Sequence, residues 1–241
     1  LDMGGQRVEL DQEILRGSPA LVSYTQSLGH GGPLPDGRDL AFLLVCGALC
    51  NDAQLVQDAP GGAHRALGDP TEGALVVAAA QFGLWKQELD RVLPRVGELP
   101  FDSERKRMTT IHETSAYSRA APHVSAHVLE GRPFLQVTKG SADGLLAIST
   151  RAWHDGRAVP LDDVGRRKIQ NAHDDLTRRG IRVLAAAFRP LDGRPAGPGA
   201  ADLERDLVFL GLFGLMDPPR SEVKAAVATC CRAGIRPIMI T

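Results

Sequence analysis

The spacing of apolar residues changes near Val96, and this change constrains the fold more than any other feature. Before it, apolar residues recur at the spacing of helices, whereas after it they alternate in short stretches divided by turn residues. The alternating stretches are predicted strands at residues 96–101, 108–112, 124–128, 134–138 and 181–188. Neighbouring strands with short connections favour antiparallel pairing. The sequence therefore predicts an α+β protein with a twisted antiparallel sheet flanked by helices.

The strongest local signal for a helix is Asp69-Pro70-Thr71-Glu72. Asp69 suits the N-cap, Pro70 suits the first helical position, and Glu72 has the spacing to reach back to the cap amide. Further helices are predicted at residues 40–51, 85–93 and 163–179. Residues 191–201, rich in Pro and Gly, are predicted to form a mobile loop.

The C-terminal part differs in pattern. An apolar run at residues 207–216 predicts a buried strand, a helix is predicted at 221–233, and a second strand at 235–240. This order is typical of a βαβ unit, whose strands need parallel neighbours. We therefore expect a fragment of a second, Rossmann-like domain here.

Composition excludes some kinds of partner and site. A formal charge of −1 and a pI near 6.7 give no electrostatic reason to expect a nucleic-acid partner. The four cysteines, at positions 46, 50, 230 and 231, lack His or Asp ligands at metal-binding spacing, so we expect buried free thiols and no metal site. The sequence also has no Gly-x-x-x-x-Gly-Lys-Ser/Thr or Gly-x-Gly-x-x-Gly loop, so a bound nucleotide would not be held mainly by its phosphates.

Several polar segments admit two interpretations from the residues alone. Pro100 to Met108 fits an ordinary charged turn beside a core Phe101, or a pocket edge where Phe101 stacks on a base. Glu72 needs no ligand if it caps its own helix. The chain has only five lysines among many arginines, and Lys106 and Lys139 both lie in such segments.

Four motifs in order carry a resemblance to a known family: Gly68-Asp69-Pro70-Thr71-Glu72, Pro100 to Met108, Lys139-Gly140, and Asp217-Pro218-Pro219-Arg220. From about Cys50 to Thr241 the chain resembles the ATP-binding (N) domain of type II P-type cation-transporting ATPases, which form an aspartyl-phosphate.

The resemblance implies a set of ATP-binding residues. Phe101 would stack on adenine, Lys106 and Lys139 would lie in the pocket, and Glu72 would contact the adenine end. The full implied set is Glu72, Phe101, Lys106, Met108, Lys139, Gly140, Arg182 and Leu184. The family often continues Ala-Pro-Glu after Lys-Gly, whereas this chain has Ser141-Ala142-Asp143, which affects the turn more than the pocket.

The resemblance also implies domain limits. Residues 1–12 would connect from the phosphorylation (P) domain, 13–206 would form the N domain, and 207–241 would be part of the P domain. Asp217, Pro218, Pro219 and Arg220 would form the hinge, and Thr241 would contact phosphate in the parent.

The expected function is to position ATP so that its γ-phosphate reaches an aspartate of the P domain. The Asp-Lys-Thr-Gly-Thr and Gly-Asp-Gly-x-Asn-Asp motifs are absent, so no residue of this chain is predicted to be catalytic and the Mg²⁺ ligands lie elsewhere in the parent. We expect a monomeric piece that binds ATP without hydrolysing it.

Its expected partners are the P, actuator and transmembrane domains of a pump, with this domain on the cytoplasmic face of a membrane. The alternatives are a fragment of a haloacid-dehalogenase-like phosphatase, which would need a nucleophilic aspartate, and a binding module that takes no nucleotide.

Overall fold

A twisted, mostly antiparallel sheet organises the chain. The computed structural model describes residues 2–3, 6–7, 37–57, 64–114, 131–195, 200–216 and 222–238. The strands are β1 Asp2–Met3, β2 Gln6–Arg7, β3 Gln54–Gln57, β4 His64–Leu67, β5 Arg95–Asp102, β6 Arg107–Glu113, β7 Phe134–Gly140, β8 Ser149–His154, β9 Arg157–Pro160, β10 Arg182–Leu191 and β11 Leu207–Leu215. The helices are α1 Gly37–Leu49, α2 Pro70–Gln81, α3 Lys86–Val92, α4 Ala142–Ala147, α5 Asp163–Arg178, α6 Ala200–Leu203 and α7 Val223–Arg232.

The main sheet has the strand order β2-β1-β11-β10-β7-β6-β5. All of these neighbours are antiparallel, while β8 joins β11 in parallel and carries β9 as a hairpin partner. Strands β3 and β4 form a separate antiparallel pair. The predicted α+β class with an antiparallel sheet is therefore confirmed. The predicted strand at 124–128 lies outside the described residues.

Helix α1 fills the core on one face of the sheet. Its Phe42 meets Phe188 edge to face, with ring centroids 4.8 Å apart, and both side chains are almost fully buried. Trp153 joins the same aromatic cluster. Helices α4 and α5 cover a second apolar cluster that includes residues of β10 and β11. The sheet is thus the middle layer between two sets of helices.

The apolar run that predicted a strand of a second domain lies in the main sheet instead. Leu207–Leu215 pairs antiparallel with β10 and β1, and parallel with β8. Helix α7 follows as predicted, but residues 235–238 form no strand. The first predicted strand therefore has neighbours other than those of a separate βαβ unit, because a continuous apolar run also suits the middle of a covered antiparallel sheet. The second predicted strand extends to residue 240, beyond the described residues, and its remainder stays a prediction. The wider division of the chain into domains remains a prediction.

The cysteines separate into two kinds. Cys46 and Cys50 are buried, as predicted. Cys46 lies within the core-facing helix α1, and Cys50 follows its last residue. Cys230 is only partly buried and Cys231 is exposed. Burial of the second pair was predicted wrongly, because α7 buries none of its residues in the described part of the chain.

Candidate functional site

One end of the main sheet brings together segments that are far apart in sequence. The turn between β5 and β6, the last residues of β7 and the first residues of β10 all lie there. Strand register shows this directly, since Met108 pairs with Lys139, and Arg107 pairs with Gly140. Gly140 in turn pairs with Ala185 of β10. The start of α2 approaches the same end, where its Glu72 contacts Lys139 and its Thr71 contacts Arg182.

Lys139 and Glu72 form an ion pair at this end of the sheet. The Nζ atom of Lys139 lies 2.8 Å from Oε1 of Glu72, and the two side chains are 7% and 19% exposed. The other carboxylate oxygen of Glu72 accepts a hydrogen bond of 3.1 Å from the backbone N–H of Asp52. The side chain of Asn51 donates to the backbone carbonyl of Glu72 at 2.9 Å. Glu72 is therefore fixed on both sides before any ligand binds.

The cap of α2 is only partly as predicted. Asp69 is the N-cap, and its Oδ1 accepts from the amides of Thr71 at 2.8 Å and Glu72 at 3.2 Å. These amides also lower the pKa of Asp69. The carboxylate of Glu72, however, contacts Lys139 and Asp52 rather than the cap amide. The reciprocal half of the predicted capping box is replaced by a tertiary ion pair.

Phe101 is an exposed aromatic residue at the end of β5. The residue is 65% exposed, whereas a phenylalanine is more often buried in the core. The interpretation of Phe101 as a core residue beside a charged turn is therefore wrong. A ring held at the surface by a strand offers a face on which a flat ligand can stack.

The turn that follows Phe101 is held by Asp102. Its Oδ1 accepts from the amides of Glu104 at 3.0 Å and Arg105 at 2.8 Å, and its carbonyl accepts from the amide of Lys106 at 2.7 Å. The Arg105 amide is the largest cause of the lowered pKa of Asp102. Lys106 has a φ of 51°, an unfavourable left-handed conformation for a residue other than glycine. Its side chain is exposed.

Gly140 has a packing role that the sequence did not predict. A Cβ atom at this position would lie 2.5 Å from the carbonyl oxygen of Lys106 and 2.5 Å from the Cβ of Arg107. The next residue, Ser141, donates its amide to the same Lys106 carbonyl at 3.0 Å. The missing side chain thus lets the β5–β6 turn lie directly on the end of β7.

The remaining predicted residues occupy different depths. Met108 is 3% exposed and belongs to the core. Leu184 is half-buried and packs against that core. Arg182 is exposed, and its guanidinium donates to the hydroxyl of Thr71 at 3.1 Å, which links β10 to the start of α2. The predicted hinge, residues 217–220, and Thr241 lie outside the described residues.

One part of this end of the sheet was missed by sequence reasoning. Arg105 and Arg107, on either side of Lys106, both form ion pairs with a buried carboxylate, Glu204. No sequence signal connects Glu204 with the turn, because the residues are about a hundred positions apart. Only the folded chain shows the contact.

Comparison with known protein families matches residues 39–222 to the family described as P-type ATPase, cytoplasmic domain N. The match covers well over half of the chain. This chain belongs to the P-type ATPases. The family assignment that the sequence motifs implied is confirmed, and the α+β fold with its mostly antiparallel sheet is consistent with the fold of the N domain.

Several P-type ATPases are similar in sequence to this chain. Calcium-transporting ATPase 1 of Bacillus cereus is 36% identical over 202 residues, which is 83% of this chain and 20% of that protein. Cation-transporting ATPase pma1 of Synechocystis is 36% identical over 199 residues, 82% of this chain and 20% of that protein. The probable cation-transporting ATPase F of Mycobacterium tuberculosis is 36% identical over 210 residues, 87% and 21% respectively.

The chain spans about a fifth of the length of these relatives. In the part of the P-type ATPase chain that the structure describes, no helix has the length and apolar character needed to cross a bilayer. Nor do the described residues include a group of three or more His, Cys, Asp or Glu side chains placed to hold a metal ion.

Proposed function

We propose that this domain binds ATP and positions it so that the γ-phosphate reaches an aspartate in the P domain of the same pump. The observation that carries the proposal is the surface-exposed ring of Phe101, fixed at the end of β5 next to the exposed Lys106. An exposed aromatic ring, together with an ammonium group of the same turn that has no ion-pair partner among the described residues, suits a ligand that has a flat base and an anionic tail.

The ion pair of Lys139 and Glu72 supplies the polar groups for the base. The pair offers both an ammonium donor and a carboxylate acceptor close to one another, and adenine has both acceptors and an amino donor at its edge. Because both side chains are mostly buried, this contact would lie deeper than the stacking on Phe101. Arg182, exposed at the start of β10, is the group we assign to the phosphates.

The mode of binding sets the expected affinity. One stacked ring and a few polar contacts in an open site correspond to dissociation constants of about 0.1–1 mM. We expect Mg²⁺ to change this affinity little, because no carboxylate cluster in the described part of the chain is arranged to hold it. Loss of binding on addition of a chelator would contradict an outward orientation of the phosphates.

This chain is proposed to bind ATP without hydrolysing it. The sequence lacks the Asp-Lys-Thr-Gly-Thr segment that would supply the nucleophile. The domain would contribute position alone, which can lower the barrier to transfer by several kcal/mol in the whole pump. Release of phosphate above that of a heat-denatured sample, in a preparation free of other ATPases, would contradict this.

The test is a titration of the chain with adenosine and with ATP, followed by NMR chemical shifts. Phe101→Ala should weaken both ligands by about 1–3 kcal/mol, since it removes only the stacking face. The matched control is Val164→Ala, which shortens another exposed apolar side chain at the start of α5. Equal effects of the two substitutions, or no effect of Phe101→Ala, would contradict the proposed site.

A second pair of variants tests the deeper contact. Lys139→Ala should weaken adenosine and ATP alike, because Lys139 is assigned to the base and not to the phosphates. Lys168→Ala removes an exposed lysine of α5 and should change neither affinity. Arg220→Ala, in the predicted hinge, should also leave binding unchanged. Circular dichroism checks that each variant folds, and failure of the wild type to bind either ligand would favour a module that takes no nucleotide.

A further inference from the structure

A buried carboxylate lies beneath the turn that carries Phe101 and Lys106. The side chain of Glu204, just after α6, is only 1% exposed and accepts hydrogen bonds from three side chains. Its Oε2 lies 2.7 Å from Nε of Arg107, and its Oε1 accepts from Arg105 and, at 3.1 Å, from the hydroxyl of Thr109. One carboxylate therefore binds two residues of the turn and the strand that follows it.

The two arginines extend this contact to both ends of the turn. A second nitrogen of Arg105 donates to the carbonyl of Pro100 at 2.8 Å, immediately before Phe101. Arg107 also donates to the carbonyl of Arg105 at 3.2 Å. The network that begins at Glu204 thus reaches from the residue before Phe101 to the residue after Lys106.

The charges of the turn explain why such a network is needed. Arg105, Lys106 and Arg107 are three consecutive cations, and they repel one another when they share one exposed loop. Glu204 draws the outer two towards the protein, where their side chains are 24% and 17% exposed. Lys106 stays exposed and has no ion-pair partner among the described residues. The left-handed backbone of Lys106 also requires a turn that is held firmly.

Stability alone is a weak reason for this arrangement. A buried ion pair often contributes little more than apolar residues of the same size, because both charges lose their hydration. The contact is better explained by what it orders, which is the only described segment that offers both an exposed aromatic ring and an unpaired lysine at this end of the sheet. A ligand loses less affinity to ordering when its contact groups are already fixed.

We propose that Glu204 is a positioning residue for the ligand of this site. By binding Arg105 and Arg107 under the turn, it fixes the Phe101 ring and leaves Lys106 free to meet the ligand. The inference rests on the proposed function, because it assigns Glu204 to the same nucleotide site. It adds a residue that touches no ligand and acts through two others.

The experiment compares Glu204→Gln with Asp202→Asn in the full chain. Both substitutions remove one negative charge from the same segment, but the Asp202 side chain is 83% exposed and forms an ion pair with Arg205, outside the turn. Adenosine is the main probe, since it is uncharged and its affinity does not rise merely because a negative charge is lost. We expect Glu204→Gln to weaken adenosine about tenfold, and Asp202→Asn to leave its affinity unchanged.

A double-mutant cycle separates positioning from a general structural effect. In a chain that carries Arg105→Gln and Arg107→Gln, the further change Glu204→Gln should cause no additional loss of adenosine affinity. The amide signal of Lys106 in the ligand-free protein should shift in Glu204→Gln and stay in place in Asp202→Asn. An equal loss in both backgrounds would overturn the proposal, because Glu204 would then act independently of the arginines.

The outcomes also separate this inference from the proposed function. If the wild-type chain binds neither adenosine nor ATP, both are overturned. If the wild type binds and a folded Glu204→Gln binds equally well, only the role of Glu204 is overturned. Should Glu204→Gln fail to fold, Arg107→Gln tests the same contact by changing the partner of Glu204 in the turn. If that variant folds and binds adenosine with wild-type affinity, the proposal is overturned.

Discussion

His112 should make the domain less stable in mild acid. Its ring is fully buried in β6, where Nδ1 lies 2.9 Å from the carbonyl oxygen of Leu93 and Nε2 lies 2.9 Å from the hydroxyl of Thr110. A carbonyl oxygen only accepts, so Nδ1 carries the proton and Nε2 accepts from Thr110. Protonation would place an uncompensated charge in the core. Burial, with help from Arg95 and Lys86, lowers the pKa of His112 from 6.5 to about 4.

The sign and size of the effect follow from this difference in pKa. Between pH 6.5 and about 4 the unfolded chain binds a proton that the folded chain refuses, so acid favours unfolding. The contribution of neutral His112 is fully present above pH 6.5 and is lost as the pH falls towards the folded pKa. At 1.36 kcal/mol per pKa unit, the loss between about pH 7.5 and about pH 5 is about 2 kcal/mol.

The assay is urea denaturation of the wild type and of His112→Asn at both pH values. Asn retains a donor for the Leu93 carbonyl but does not titrate. Between about pH 7.5 and about pH 5, the free energy of unfolding of His112→Asn should therefore fall by about 2 kcal/mol less than that of the wild type. Any constant cost of the substitution cancels in this comparison. His154→Asn is the matched control, because that histidine is exposed, and it should follow the wild type. Equal pH dependence of His112→Asn and wild type would refute the reasoning.

Three further predictions concern local structure. Gly140→Ala should lower the free energy of unfolding by about 2 kcal/mol or more in urea denaturation, since the added Cβ would lie 2.5 Å from the backbone carbonyl oxygen of Lys106. A denaturation midpoint equal to that of the wild type would show that the β5–β6 turn moves away from β7 at no cost. Asp69→Ala should cost about 1 kcal/mol by the same assay, because two amides of α2 lose their cap, and no change would mean that water replaces it. Mass spectrometry after a short exposure to a thiol reagent should find Cys231 modified before Cys46, because Cys46 is buried and its burial raises the pKa of its thiol. Modification in the reverse order would contradict the described packing of α1.

The sequence predicted best those features that depend on neighbouring residues. The start of α2 follows from the cap chemistry of Asp69 and Pro70, and both residues take those positions in the structure. The alternating stretches around residues 96–112 and 134–138 likewise became β5, β6 and β7. In each case the physical cause lies within one turn or one strand, so no knowledge of tertiary structure is needed.

Two errors in the predicted fold have different causes. The hairpin of β8 and β9 was not predicted, although the sequence contains a signal for it. That signal is the dipeptide Asp155-Gly156, which is typical of tight hairpin turns and has φ values of 48° and 76° in the structure. Leu207–Leu215, by contrast, was recognised as a strand but given the wrong neighbours. An uninterrupted apolar run shows that both faces of the strand are covered, which is typical of parallel sheets but also fits the middle strand of a covered antiparallel sheet.

The candidate site was predictable residue by residue but not as a set of contacts. Motif resemblance named Glu72 and Lys139, and the residues alone gave Glu72 a local cap, but neither predicted the ion pair that joins them across 67 positions. For Glu204 there was no signal at all, since an isolated glutamate near a short helix is typical of a solvated surface. Contacts of this kind depend on strand register, which pairs Arg107 with Gly140 and so fixes where the turn lies.

The depth of the site residues bears on how such a domain would serve a pump. Exposure falls from 65% at Phe101 to 7% at the side chain of Lys139, so a ligand would enter base first and leave its phosphates at the surface. A loop that wrapped the phosphates would hold ATP more tightly, but it would also shield the γ-phosphate from a nucleophile on another domain. The proposed recognition of the base by Phe101, Lys139 and Glu72 would avoid that conflict. The modest affinity expected here is thus a consequence of leaving the reacting end free, and an ATP variant with a shortened phosphate chain should bind this domain nearly as well as ATP itself.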